Sequence, residues 1–242
     1  MEINKIYLGN AYEMIKDIPD KSIDLIVTDP PYDIEGIQGG GIGKTCTFTK
    51  EIEQNELDKG IDLKILDDFV RVMKKINIYI WCNKTQIYDY MTYFVKERNC
   101  SFEILVWAKE DPIPFCGTHY LVDKEYCLYF WEQGAPVHIP FDRGRTYLIS
   151  KKNTEDKERY GHPTIKPIEF IKTLIKNSTG GGAVVFDPFV GSGTTCLAAK
   201  QLGLNYLGFE INERYYKIAV DRLNGIDQKG QTDLFDTDFD TL

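Results

Sequence analysis

Positive charge is scarce in this sequence: 29 Lys and Arg stand against 37 Asp and Glu in 242 residues, a formal net charge of −8. A surface that is basic throughout is thereby excluded, and any grip on phosphates needs the cations gathered locally. Long apolar runs are missing too, since none approaches the ~20 residues of a membrane-spanning helix. The first residues, Met1-Glu2-Ile3-Asn4-Lys5, lack the basic-then-apolar plan of a signal peptide, so a cytoplasmic protein is expected. The six cysteines (Cys46, Cys82, Cys100, Cys116, Cys127, Cys196) are scattered, with no two at Cys-x-x-Cys spacing. That pattern argues for reduced thiols, mostly in the core, and against a metal site. No Pro/Ser-rich tract divides the chain, so a single domain is expected over residues 1–226, followed by an acidic, flexible tail over 227–242.

What is present is alternation. Residues 3–8 read as a short strand, Asn10 as the cap of a brief helix to Ile18, and residues 23–27 as a second strand. Residues 61–75 place Ile61, Ile65, Leu66, Phe69, Val70 and Met73 on one helical face. Residues 76–81 then read as a strand, 85–98 as a helix and 102–107 as a strand, with their aromatic residues in the core. The fold class this predicts is α/β, with a doubly wound, mostly parallel sheet. Residues 33–60 are polar and Gly-rich without periodicity, and a mobile loop over a site is expected there. Inside it, Gly39-Gly40-Gly41-Ile42-Gly43-Lys44-Thr45 imitates a phosphate loop. The first glycine of that motif belongs at position 38, which is Gln38, so nucleotide hydrolysis is not supported.

The most specific local chemistry is Thr28-Asp29-Pro30-Pro31-Tyr32, directly after the second strand. The first proline forces Asp29 out of the helical region and neither proline has an N–H. The Asp29 carboxylate and the Pro30 carbonyl therefore form a rigid pair of acceptors beside the Tyr32 ring. Such a pair suits a planar group that carries an NH2, such as a base lifted from its stack. The same residues also fit a strand that ends in a proline turn, with Tyr32 packed on the core.

The second half repeats a strand-turn-helix pattern. Residues 183–187 read as a strand ending at Asp187, followed by Pro188-Phe189-Val190-Gly191-Ser192-Gly193-Thr194-Thr195 and a helix to Leu202. Glycines at such a turn let a ligand approach the backbone, and the helix start offers free N–H groups. A strand over 205–209 then ends in Glu210, 23 residues after Asp187. That is close to the ~20-residue interval at which an acid meets ribose hydroxyls in nucleoside-binding units. NAD is conceivable, but the third glycine of its fingerprint is replaced by Cys196. Upstream, Gly161-His162-Pro163-Thr164-Ile165-Lys166-Pro167 opens a helix with Ile168, Ile171, Leu174 and Ile175 on one face. From Arg143 to Lys166, seven Lys/Arg face three Asp/Glu, a net of +4. This segment is the candidate phosphate-facing surface, with a solvated loop of mixed charge as the alternative.

Three blocks carry a family resemblance. Asp29-Pro30-Pro31-Tyr32 resembles the catalytic tetrapeptide of the amino-group DNA methyltransferases. Asp187-Pro188-Phe189-x-Gly191-Ser192-Gly193-Thr194-Thr195, with Gly208-Phe209-Glu210, is closely similar to their S-adenosylmethionine motif. His162-Pro163-Thr164-x-Lys166-Pro167 resembles the block beside the methionine end of that cofactor. The stretch from Trp107-Ala108-Lys109 through Asp111-Pro112 to Glu125-Tyr126 is also similar, although Asp111 stands where the family usually has Asn. The order, catalytic strand first and cofactor block last, resembles the permuted class called β.

The resemblance implies a Rossmann-like methyltransferase fold with a small irregular target-recognition region, placed at 133–160. It implies Asp29, Pro30 and Tyr32 as catalytic residues. It implies Asp187, Phe189, Gly191, Gly193, Thr194, Glu210, His162, Thr164 and Lys166 around S-adenosylmethionine. Arg143, Arg145, Lys151 and Lys152 are candidate DNA contacts. Asp at the head of the tetrapeptide implies methylation of adenine N6 in double-stranded DNA. The alternatives are cytosine N4 and an inactive DNA-binding relative. The resemblance further implies a homodimer as the possible assembly and restriction-modification as the setting. Finally, Gln231, Leu234 and Phe235 resemble the Gln-x-x-Leu-Phe peptide by which bacterial proteins dock on the replication sliding clamp.

Overall fold

The computed structural model describes residues 1–32, 60–112, 120–162 and 164–227. Among them, eight strands form one sheet: β1 (Lys5–Leu8), β2 (Leu25–Thr28), β3 (Asn77–Cys82), β4 (Ser101–Lys109), β5 (Lys124–Trp131), β6 (Tyr147–Ser150), β7 (Val184–Asp187) and β8 (Asn205–Glu210). Their spatial order is β1-β8-β7-β2-β3-β5-β4-β6. Pairing is parallel from β1 through β3 and between β4 and β6, whereas β5 runs against both of its neighbours. The sheet is thus mostly parallel, as expected, with one reversed strand.

Helices cover both faces because the central strands are apolar on both. In β2, Leu25 and Val27 point to one side and Ile26 to the other, and all four residues of the strand are buried. On the Ile26 side lie α1 (Ala11–Met14), α2 (Ile65–Val72) and α3 (Ile87–Met91), the last continued by a π-helical stretch, Thr92–Glu97. Ile15, Phe69, Tyr90 and Phe94 meet Ile78, Phe130 and Phe186 there. On the Leu25 side, α5 (Ile168–Ser178) and α6 (Thr194–Gln201) pack Phe170, Leu174 and Ala198 on Tyr79, Trp81 and Val185. The stacked Tyr79 and Tyr129 rings, 4.0 Å apart, belong to this core. Trp81, Tyr90, Phe94 and Trp107 are likewise buried on the two sides of the sheet, whereas Tyr88 and Phe102, also expected in the core, are exposed.

Three features differ from the sequence reading. The stretch 133–160, read as irregular, contains the edge strand β6, a 3-10 turn (Phe141–Arg143) and α4 (Thr154–Tyr160). Pro167 stands at the N-cap of α5, one place before the first turn. A final helix, α7 (Glu213–Leu223), was not expected; Asn212 caps it by accepting from the N–H groups of Arg214 and Tyr215. The loop expected over 33–60 lies outside the described residues except for Gly60. The clamp-like residues Gln231, Leu234 and Phe235 also lie outside them.

β8 is held tightly between β1 and β7. A Cβ at Gly208 would lie 2.3 Å from Val190 Cγ2 and 2.9 Å from Cys196 Sγ, so no side chain fits without moving the glycine turn. Gly208→Ala is expected to destabilise the protein by about 1–3 kcal/mol, the usual cost of overpacking a core, as a lower midpoint in denaturant unfolding. An unchanged midpoint would show that the turn yields freely.

Candidate active site

The carboxyl ends of β1, β2, β3, β7 and β8 share one edge, where strand-to-helix turns open a cleft of about 760 Å³. β5 runs the other way, so its first residues, Lys124 and Glu125, reach the same edge, opposite the ends of β3 and β4. Two halves meet in this cleft.

β2 and β7 are direct neighbours in parallel register, Leu25 opposite Val185 and Ile26 opposite Phe186. Asp29 and Asp187 therefore emerge side by side. The Thr28 hydroxyl donates to Asp187 Oδ1 at 2.9 Å, and the Thr195 hydroxyl donates back to the Val27 carbonyl at 3.2 Å. Asp187 Oδ1 also accepts from the Phe189 N–H at 3.1 Å. Burial outweighs these bonds and raises the Asp187 carboxyl to about 7.

The glycine turn is braced from two sides. Glu210 accepts from the Gly191 N–H through Oε2 at 2.7 Å and from the Asn212 N–H through Oε1 at 2.8 Å. Behind the turn, buried Arg222 donates to the Ser192 carbonyl at 2.7 Å and to the Thr194 hydroxyl at 3.1 Å. Gly191 lines the cleft with φ at 52°, and a Cβ there would lie 3.5 Å from His162 Nε2. Gly193 does not line the cleft. Its φ is 81° and a Cβ would lie 3.0 Å from Ala219 Cβ, so this glycine serves the turn and its packing on α7. His162 is nearly buried, edge-on to Tyr215 at 4.4 Å, and burial drives its pKa down to about 3, leaving a neutral ring. The Thr164 N–H donates to its Nδ1 at 3.2 Å.

At the other end, both oxygens of Asp29 are engaged. Oδ1 accepts from the Tyr32 hydroxyl at 2.8 Å, and Oδ2 accepts from the Lys166 ammonium. Lys166 Nζ also lies 3.0 Å from Glu125 Oε2, and Lys109 pairs with Glu125 Oε1. The expected pair of outward acceptors is thus half-filled from within, and Lys166, expected near the cofactor, reaches the Asp29 carboxylate. Burial alone would raise the Glu125 carboxyl, but Lys166 and Lys109 outweigh it and bring it down to about 2.

Asp29, Pro30, Tyr32, Asp187, Phe189, Gly191, Thr194, Glu210, His162, Thr164 and Lys166 all line the cleft. Arg143, Arg145, Lys151 and Lys152 do not. Arg143 Nε donates to Asn177 Oδ1 at 3.0 Å and Arg145 Nη1 to the Tyr147 hydroxyl at 2.7 Å, and Lys151 is exposed just past the other end of β6. Sequence reasoning did not single out Asn10, Tyr12, Trp81 or Glu125 as site residues. Asn10 and Trp81 follow or end strands that point at this edge, a positional signal; Glu125 stood in the family-similar stretch, but its place at this edge follows from the reversal of β5. Among the described residues no group of His, Cys, Asp and Glu could hold a metal ion, and no helix is long and apolar enough to cross a membrane.

Comparison with known proteins agrees with this geometry. A family model described as DNA methylase, of the N6/N4 type, matches residues 23–221. The type II methyltransferase M.HinfI of Haemophilus influenzae is 30% identical across 93% of this chain and 69% of that protein. The crystal structure of an M1.HpyAVI–SAM complex superposes with a TM-score of 0.66 at 26% identity, covering 90% of this chain and 98% of that one. The cytosine-N4-specific PvuII DNA methyltransferase, at 15% identity, shares the fold with a TM-score of 0.67 over 90% of this chain and 85% of its own.

The buried acid gives a pH test. Because the Asp187 pKa is raised from 3.8 to about 7 on folding, its contribution to stability is complete below 3.8 and is lost as pH rises through about 7. Relative to Asp187→Asn, the wild type should therefore lose stability between pH 4 and pH 7.5 in denaturant titrations. A difference that stays constant with pH would contradict the assigned environment.

Proposed function

The chain belongs to the N6/N4 family of DNA methylases and is an amino-group DNA methyltransferase; from that premise we propose that its substrate is the exocyclic N6 of an adenine rotated out of duplex DNA. The observation that carries this reading is the adjacency of the Asp29 turn and the Asp187 turn in one cleft, joined by the Thr28–Asp187 hydrogen bond. S-adenosylmethionine is the cofactor and, when bound, supplies an electrophilic methyl group. The residues suit it. Gly191 leaves the turn open to a ligand, and Glu210, with two backbone donors already satisfied, keeps lone pairs for ribose hydroxyls. Asp187, Phe189 and Thr194 line the wall beside them, and His162 and Thr164 are the proposed contacts at the methionine end.

An aromatic amine is a poor nucleophile because its lone pair is delocalised into the ring. Hydrogen bonds from its two N–H groups to Asp29 and to the Pro30 carbonyl favour a pyramidal nitrogen and stabilise the positive charge that grows during attack. The Tyr32 hydroxyl fixes the Asp29 carboxylate, and its ring offers a face for the extruded base, offsetting part of the few-kcal/mol cost of unstacking. Asp at the head of the tetrapeptide supports adenine over cytosine by resemblance. The exposed Arg145 and Lys151, near β6, are proposed to meet phosphates outside the cleft.

The test uses a labelled methyl donor and unmethylated DNA. The wild type should incorporate label, and Asp29→Ala should lower the single-turnover rate by at least about 100-fold, the scale of losing one preorganised electrostatic contact, with cofactor affinity within about threefold. Equal loss of rate and cofactor affinity would overturn the division of roles.

A further inference from the structure

The described residues carry a cluster of charge around the cleft of which methyl transfer, as outlined above, uses only Asp29. Lys109, Glu125, Lys166 and Asp29 alternate in sign along a single line of contacts. They come from four separate places: the end of β4, the start of β5, the residues before α5 and the end of β2. Their side chains are 16%, 19%, 9% and 29% exposed, in that order, so water does little to screen them. Lys166 is enclosed further by aromatic rings, with its ammonium 4.8 Å from the centroid of Trp81 and 5.7 Å from that of Tyr32.

This arrangement conflicts with a passive site. The amine of the substrate needs an acceptor on Asp29, yet Oδ1 already takes the Tyr32 hydroxyl and Oδ2 takes Lys166. An ammonium resting there also repels the cationic nitrogen that forms on methylation. The same ammonium lies only 3.0 Å from a second carboxylate, Glu125, so it can give up Asp29 without losing its only counterion. On the reading of this site as a methyltransferase centre, we propose that Lys166 is a positioning residue that holds Asp29 before substrate arrives and is handed to Glu125 when the amine takes its place. Lys109 keeps Glu125 fixed and charged, so that the receiving carboxylate stays in position. Before hand-over, the four charges cancel. When the amine displaces Lys166, the ammonium moves from one carboxylate to the other inside the same cluster and none has to enter water. In this scheme Lys166 acts on the nucleophile's acceptor and not on the cofactor, which departs from the role implied by the sequence block around it.

The experiment measures single-turnover methyl transfer to unmethylated DNA, cofactor affinity by calorimetry and melting temperature for Glu125→Gln, Lys166→Arg and Glu125→Gln/Lys166→Met. Glu125→Gln removes the receiving charge and should slow transfer by about tenfold or more while cofactor affinity stays within about threefold. Lys166→Arg keeps the charge, and an unchanged melting temperature reports that it keeps the fold. Its fork spans both carboxylates and resists release, so it too should be about tenfold slower with cofactor affinity unchanged. The double variant restores neutrality without a competing ammonium and should be at least about threefold faster than Glu125→Gln, a non-additive recovery. A wild-type rate for Lys166→Arg, cofactor affinity that falls in step with rate, or a double variant no faster than Glu125→Gln would each overturn the hand-over. An inactive wild type would instead overturn the reading it rests on.

Discussion

The pairing of β2 with β7 is the constraint on which the site depends. Both strands are buried on two faces, and their register sets which residues leave the sheet together. A slip of one residue would turn Leu25 and Val27 toward the helices meant for Ile26 and would separate the two acidic turns. Side-chain bonds reinforce the register at the functional end, from Thr28 to Asp187 and from Thr195 to the Val27 carbonyl. The two turns are 158 residues apart in sequence, yet one hydrogen bond connects them.

Electrostatics in the cleft are local and do not follow from the net charge of −8. Asp187 is kept near neutrality by burial, whereas Glu125 is held ionised by two lysines and Asp29 pairs with one of them. Carboxylates a short distance apart thus have different assignments because their neighbours differ. Asp187 packs between strands and is raised by burial, whereas Glu125, between two lysines, is lowered. His162, neutral against Tyr215 and Gly191, adds no cation to this end of the cleft.

Much of this was legible in the sequence where the signal is local. The apolar run before Asp29, the prolines after it, the glycine turn after Asp187 and the acid at Glu210 each announce themselves within ten residues or so, and the structure places all of them at one sheet edge. What stayed hidden depends on distant partners. Lys166 meets Asp29 across 137 residues, and no local pattern distinguishes that contact from one to a cofactor. Glu125 enters the site only because β5 is reversed, and the direction of a strand leaves no trace in its own sequence. Gly193 looks like a ligand contact by spacing, but Ala219 of a helix absent from the reading is what requires it. The regular pieces within 133–160 were missed because β6 has four residues and α4 seven, too short for a period to emerge.

The central claim is that the Asp29 turn presents an adenine amine to the methyl donor held at the Asp187 turn. Nucleoside mass spectrometry of DNA incubated with the protein and S-adenosylmethionine bearing a deuterated methyl group tests it directly. The account predicts N6-methyladenine that carries the deuterated methyl. Label confined to N4-methylcytosine, or absent from the DNA altogether, would contradict it.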